Sequence, residues 1–306
     1  MVSRLAGCGR AAAGASHLPG KSGAFFGAFD KMRAKTITEG GTSMGWQLDK
    51  AMWRWSPHDG VRAWVTTRLG GVGVAPFDTM NISFQVQDEA AAVRENRRRA
   101  VSWSGRRVED LVTAQQVHGA KVVWANAAER GRGALDAEGA IPGVDGLLTR
   151  DPTVVLGLGF ADCTPIFLSA RDGRMAGVVH AGWRGTVAGI QQEAVRLMVA
   201  AGVAAKDLRA GIGPAIGSCC YEVDGPVRER VLTTAGSRPL RPAARDGHWM
   251  LDLALANQIL LEQAGLLPEH IDHAQLCTRC RADWFFSHRG SGGRAGRMGG
   301  YICLQP

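Results

Sequence analysis

No apolar run in this 306-residue chain approaches the roughly 18 residues that a membrane-spanning helix needs. The longest, such as residues 153–160, are short and interrupted by glycine. Acidic residues are missing before Asp30, and no secretory hydrophobic stretch is present. Internal repeats, the lysine of a phosphate-binding P-loop, the dinucleotide fingerprint and a second CxxC are also absent. A dense basic stripe is lacking too, although the formal charge is +8. These absences exclude a membrane-spanning protein and leave sequence-specific DNA binding without a motif. A wholly disordered chain is excluded by 45% hydrophobic residues against so modest a charge.

The charge is uneven. Residues 1–45 hold six basic and two acidic residues, half of the net charge, in a stretch rich in Gly, Ala and Ser. That stretch is read as a poorly ordered leader, with Met44 or Met52 as alternative starts, or as a transit peptide. Residues 46–306 are the expected folded domain. Arg94, Arg97, Arg98 and Arg99 fall in a helix expected over 88–103 with Asp88 as its cap, and they are read as part of a solvated face. Seven cysteines, an odd count in a long chain, fit a reducing cytoplasm better than a disulfide scaffold.

Past residue 52 the pattern alternates strands with helices. Strands are expected over 63–67, 121–125, 154–160, 166–169, 175–180 and 299–304. Helices are expected over 186–201, with Thr186 as cap and Gly202 as stop, and over 252–264, capped by Asp252 and ended by Gly265. Without strict βαβ periodicity, the fold class is α+β: one domain, an α/β sandwich of mixed sheets flanked by helices.

Three residues carry candidate chemistry. His118 stands before Gly119 and a strand; alone it has a plain structural reading. Cys163 follows a buried strand in Ala161-Asp162-Cys163-Thr164-Pro165, where Pro165 is expected to break regular pairing. It is either an inert core thiol or one facing a cavity. His180 ends a strand in His180-Ala181-Gly182-Trp183-Arg184-Gly185, ahead of a helix N-terminus suited to anions. Two imidazoles and a thiolate suit Zn²⁺, and three protein ligands leave a fourth position for a water of pKa about 7. Their separations match no zinc-finger pattern. Cys277-Thr278-Arg279-Cys280 is a lone CxxC and Cys219-Cys220 is an adjacent pair, read mainly as incidental core thiols, with a structural zinc or a redox pair as the alternative.

Several motifs recur together in one family: Thr67-Arg68-Leu69-Gly70-Gly71, Gln116-Val117-His118-Gly119, Ala161-Asp162-Cys163-Thr164-Pro165, His180-Ala181-Gly182-Trp183-Arg184-Gly185, Gly213-Pro214-Ala215-Ile216-Gly217, Phe285-Phe286-Ser287-His288-Arg289 and Gly296-Arg297-Met298. Over about residues 53–304 the chain resembles the YfiH-like, laccase-domain family, also called polyphenol oxidase-like or purine nucleoside phosphorylase proteins. The departures, His288 and Gly300, leave the metal triad untouched. The resemblance implies zinc held by His118, Cys163 and His180. It implies phosphorolysis of adenosine, inosine, guanosine and methylthioadenosine, and deamination of adenosine. Arg68 and Arg184 are then the candidates for phosphate, and Asp162 either relays protons, orients a ligand or is structural. The expected partners are purine nucleosides and phosphate, without nucleic acid or membrane; the oligomeric state stays open, with a monomer as the expectation. The alternatives are a copper-dependent polyphenol oxidase, a metal-free Cys-His hydrolase with Cys163 as nucleophile, and a non-enzymatic domain with structural zinc.

Overall fold

Successive residues of a strand point to opposite faces, and here both faces are covered. A computed structural model describes residues 45–305; the leader expected over 1–45 lies outside them, apart from Gly45, which opens a strand. Every residue of the Ala176–Ala181 strand is buried. Val178 packs into a core between two sheets, and Val179 into a second core under helices. The same alternation separates Phe167 from Ile166 and Leu168, and Ala63 and Val65 from Trp64. Double coverage is why these strands read as unbroken apolar runs.

One sheet has seven strands, in the order Gly45–Asp49, Met52–Ser56, Val61–Thr66, Met298–Leu304, Val155–Phe160, Leu111–Gln115, Ile141–Pro142. A second has six, in the order Ile271–His273, Leu208–Ile212, Thr164–Ala170, Ala176–Ala181, Gly146–Thr149, Val122–Ala125, and a small third sheet joins Glu222–Val223, Trp249–Leu251 and Leu240–Pro242. The two large sheets are mixed. Val155–Phe160 runs parallel to Leu111–Gln115 but antiparallel to Met298–Leu304, and Leu208–Ile212 runs parallel to Ile271–His273 but antiparallel to Thr164–Ala170. Trp55 of the first sheet stacks on Phe167 of the second, with 6.4 Å between ring centroids. Helix Ile190–Ala200 covers the outer face of the six-stranded sheet through Ile190, Ala194, Val195 and Met198. Helix Ala90–Ser102 covers Trp64, Leu111, Val155 and Tyr301 on the other side. The protein is thus an α+β single domain of mixed sheets flanked by helices. Among the described residues no helix is long and apolar enough to cross a membrane.

Four local expectations need correction. The helix expected over 186–201 is two helices, Trp183–Val187 and Ile190–Ala200. Gly189 between them has φ of 79°, a left-handed conformation that ends one helix and starts the other. The helix expected from Asp88 starts at Ala90; Asp88 instead accepts from the side chain of Asn81 and the N–H of Glu89. Arg97 of that helix is buried rather than solvated. Its guanidinium donates to the carbonyls of Ile82, Gly133 and Ala134 and stacks on Phe84, and burial draws its pKa down to about 10. Finally, Pro165 does not stop the ladder. Its carbonyl accepts from Gly213, so its missing N–H faces the side where the Leu208–Ile212 pairing has already ended. Pairing with Ala176–Ala181 continues through Pro165 opposite His180 and Thr164 opposite Ala181. The helix expected over 252–264 runs Leu253–Gln263, with the Asp252 carboxylate capping the N–H of Leu255 at 2.9 Å.

Candidate metal centre and cleft

The site forms where strands from both sheets end. Leu111–Gln115 leads out to His118, Val155–Phe160 turns through Asp162 and Cys163 into the next strand, and His180 lies near the end of Ala176–Ala181. His118 and Asp162 have φ of 60° and 81°, a left-handed backbone uncommon for residues with a side chain. The chain holds His118 there through one buried carboxylate. Asp145 accepts the N–H groups of Val117, His118 and Gly119 at 3.1, 2.9 and 2.8 Å. The same carboxylate meets His180 Nδ1 at 2.9 Å. A carboxylate on Nδ1 sets the proton on that nitrogen and turns Nε2 outward as a ligand.

The ligand atoms of His118, Cys163 and His180 all lie within 4.8 Å of one another, and the two imidazoles are nearly perpendicular at 79°. A single ion fits that spacing, and the donor set of two nitrogens and one sulfur is one that zinc accepts. Space for it depends on Gly182: a Cβ there would stand 2.9 Å from Cys163 Sγ and 3.3 Å from the His118 ring. Burial alone would raise the Cys163 thiol; the neighbouring His180 and His118 outweigh it and bring the pKa down to about 6. For His180 the order is the same: burial opposes its charge, but Cys163 and Asp145 raise its pKa. Asp145 is held below the usual carboxylate range, because His180 and the N–H groups of Gly119 and Val117 overcome its burial. The Cys163 and His180 shifts both favour a thiolate beside an imidazolium, and a metal ion held by both would displace a proton.

The triad opens into a cleft of about 310 Å³, at the small end of sizes typical for small-ligand sites. Arg184, Arg289 and Arg297 line it together with Trp183, Tyr221, Gln116 and His288. Arg184 stacks on Trp183 and Arg289 on Tyr221, so aromatic faces steady both guanidinium groups. Gln116 is clamped at both ends, accepting from Gly159 N–H and donating to its carbonyl.

Of the residues singled out from sequence, His118, Cys163, His180, Asp162 and Arg184 meet at this cleft, and Arg68 does not. Arg68 donates to the carbonyls of Asp78 and Ala282, pairs with the Asp78 carboxylate at 3.2 Å and lies over the Phe286 ring. It faces a separate groove beside Arg279 and Arg294, its charge spent on loop packing. Asp162 turns away from the triad: Thr278 Oγ1 donates to one oxygen and the Arg289 N–H to the other, both at 2.6 Å. These bonds tie it to Thr278 and to the backbone of Arg289. The expected helix start at Thr186 moves to Trp183, with Thr186 N–H bonded to Gly182. Sequence reasoning missed Asp145, Tyr221, Arg289 and Arg297 as site residues. The two arginines were within reach, since each sits in a motif shared with the family.

Residues 62–305 match the family described as multi-copper polyphenol oxidoreductase laccase, and the chain belongs to that family. Among its relatives, it is 40% identical to the purine nucleoside phosphorylase YlmD of Geobacillus stearothermophilus, over 80% of this chain and 91% of that one. It is 34% identical to the adenosine deaminase RL5 of an unknown prokaryotic organism, over 78% and 92%. The crystal structure of Bacillus licheniformis hypothetical protein YfiH is similar at a TM-score of 0.82 and 34% identity, covering 85% of this chain and 99% of that chain.

Replacing Asp145 with Asn removes a charge that four polar contacts are arranged around. Asp145→Asn is expected to weaken metal binding by about 10- to 100-fold, measured by competition with a chromogenic chelator; unchanged affinity contradicts the role given to this carboxylate. After chelation, Cys163 is expected to react with iodoacetamide near its plateau rate by pH 7 and to slow below pH 6, since its lowered pKa keeps the thiolate populated there. A rate still climbing about tenfold per unit from pH 7 to 8 is the behaviour of an ordinary thiol.

Proposed function

We propose that this chain is a zinc-dependent purine nucleoside phosphorylase acting on adenosine, inosine, guanosine and methylthioadenosine, with adenosine deamination at the same site. The observation that carries this reading is one cleft that sets three arginines beside the His118, Cys163 and His180 group. The printed activities of the two relatives above support it.

In phosphorolysis a phosphate oxygen forms a bond to the anomeric carbon, the bond from that carbon to the purine nitrogen breaks, and the purine takes up a proton. Positive charge develops on the sugar and negative charge leaves on the base, so the site has to place an anion and hold it close. Arg184, Arg289 and Arg297 are the groups for this, with forked donors that match phosphate oxygens. Trp183 and Tyr221 hold two of these guanidinium groups in place. His118, Cys163 and His180 would hold zinc, which when bound supplies Lewis acidity at the cleft.

A metal-free cysteine hydrolase is the second reading, favoured by the close Cys163 and His180 pair. It requires turnover that survives chelation. Copper oxidase chemistry with several cupric sites fits less well. His58 bonds Ser169, His248 bonds the Asp246 carbonyl and His270 the Lys206 carbonyl, and among the described residues these histidines join no ligand cluster.

The test is release of hypoxanthine from inosine by the purified protein, with ribose 1-phosphate formed in equal amount. Turnover is expected to require phosphate and to fall more than about 100-fold in His118→Ala, beyond the loss typical of a supporting residue. Arg184→Ala and Arg297→Ala are expected to raise KM for phosphate. Release without phosphate, or full turnover by His118→Ala, contradicts the proposal.

A further inference from the structure

Four more cysteines meet away from the cleft. Cys219 and Cys220 lie in the segment that follows the Leu208–Ile212 strand, and Cys277 and Cys280 in the segment after Ile271–His273. Those strands are parallel neighbours, so both segments leave the sheet side by side, and Ala215 bridges to Cys277. All four sulfurs lie within 4.8 Å of one another, with Cys280 Sγ 3.4 Å from Cys219 Sγ and 3.5 Å from Cys220 Sγ. Four thiolates at about 2.3 Å from one tetrahedral ion stand roughly 3.8 Å apart. The sulfurs are already near that arrangement, and a four-iron cluster would need them spread around a larger body.

The surrounding backbone is shaped to the sulfurs. Gly217 N–H donates to Cys277 Sγ at 3.3 Å, an outer hydrogen bond of the kind that steadies a metal ligand. A Cβ on Gly217 would stand 3.3 Å from Cys219 Sγ and 3.2 Å from Cys277 Cβ, tighter than ordinary contact. An adjacent cysteine pair plus one CxxC hides the site in sequence, where two spaced pairs are the usual pattern.

We propose that Cys219, Cys220, Cys277 and Cys280 bind one zinc ion as a closed, four-thiolate structural site separate from the cleft. With every position filled by protein, the ion has no place for water or substrate, and its role is to join two chain segments. Binding releases the thiol protons and ties folding of this region to the metal. The joined segments build the cleft wall. Ile216 and Tyr221 flank one cysteine pair, and Thr278, inside the CxxC, donates to the Asp162 carboxylate that also holds Arg289. The site thus sets the position of Tyr221 and Arg289 from behind.

The test counts zinc per chain by native mass spectrometry and elemental analysis, on the full-length protein and on Cys163→Ser, which leaves the four cysteines intact. Cys163→Ser is expected to retain one equivalent of zinc, and the further change Cys277→Ser with Cys280→Ser to leave none. Differential alkylation of the unaltered protein, read by peptide mass, is expected to show these four cysteines protected until a chelator is added. Cobalt-loaded Cys163→Ser is expected to show the intense charge-transfer absorption of four thiolates. Four cysteines that react freely without chelator, that are found as disulfides, or that hold iron in place of zinc overturn the proposal. Because Cys277 and Cys280 are removed on the Cys163→Ser background, the difference between the two counts is independent of what the cleft binds.

Discussion

A carboxylate with no exposed surface, Asp145, joins the two halves of the cleft chemistry. A buried charge is costly unless hydrogen bonds replace water, and Asp145 has four donors: three consecutive N–H groups and one imidazole. Those donors hold His118 in a backbone conformation that it would otherwise avoid, and they fix which nitrogen of His180 faces outward. The sheet makes this meeting possible. Asp145 stands just before the Gly146–Thr149 strand, which pairs with Ala176–Ala181, and the Asp145 carbonyl accepts the His180 N–H at 2.7 Å. Backbone pairing therefore brings the carboxylate to the imidazole before any side chain is chosen.

Around that centre the fold separates rigid from adaptable parts. Double-covered strands carry His180 and flank Cys163, while Arg184 arrives on a short helix and Arg289 and Arg297 on connecting segments, the first two braced by aromatic rings. Asp162, beside Cys163 in sequence, extends the bracing outward to Thr278 and Arg289. Two groups of thiolate and imidazole donors result, with opposite character. The His118, Cys163 and His180 group opens to a cleft; the four-cysteine group is closed and lies behind the wall of that cleft.

Much of the sandwich was legible because strand interiors such as Val155–Phe160 and Ala176–Ala181 are apolar on both faces, and Asp252 and Gly265 mark their helix plainly. Features that depend on neighbours were not. Gly189 inside an apolar helical stripe gave no warning that it would turn left-handed. Pro165 kept its ladder because the partner on its N–H side had already ended. Arg97 is spaced like a surface arginine and is buried only because the chain near Ile82 and Gly133 offers carbonyls. The residue types of the triad suggested a metal, but 45 and 17 residues of separation carry no geometry. Asp145, a lone aspartate before a glycine, had no pattern to mark it. Cys219 and Cys220 gained partners only through the parallel pairing of two distant strands.

Anomalous diffraction at the zinc absorption edge, from crystals of the purified protein, examines the centre itself. The arrangement described here requires a peak about 2.3 Å from Cys163 Sγ and about 2.0–2.1 Å from one nitrogen each of His118 and His180, with Asp145 on the far side of the His180 ring. An active protein whose crystals show no peak among these three side chains, or with Cys163 Sγ turned away from both imidazoles, would contradict it.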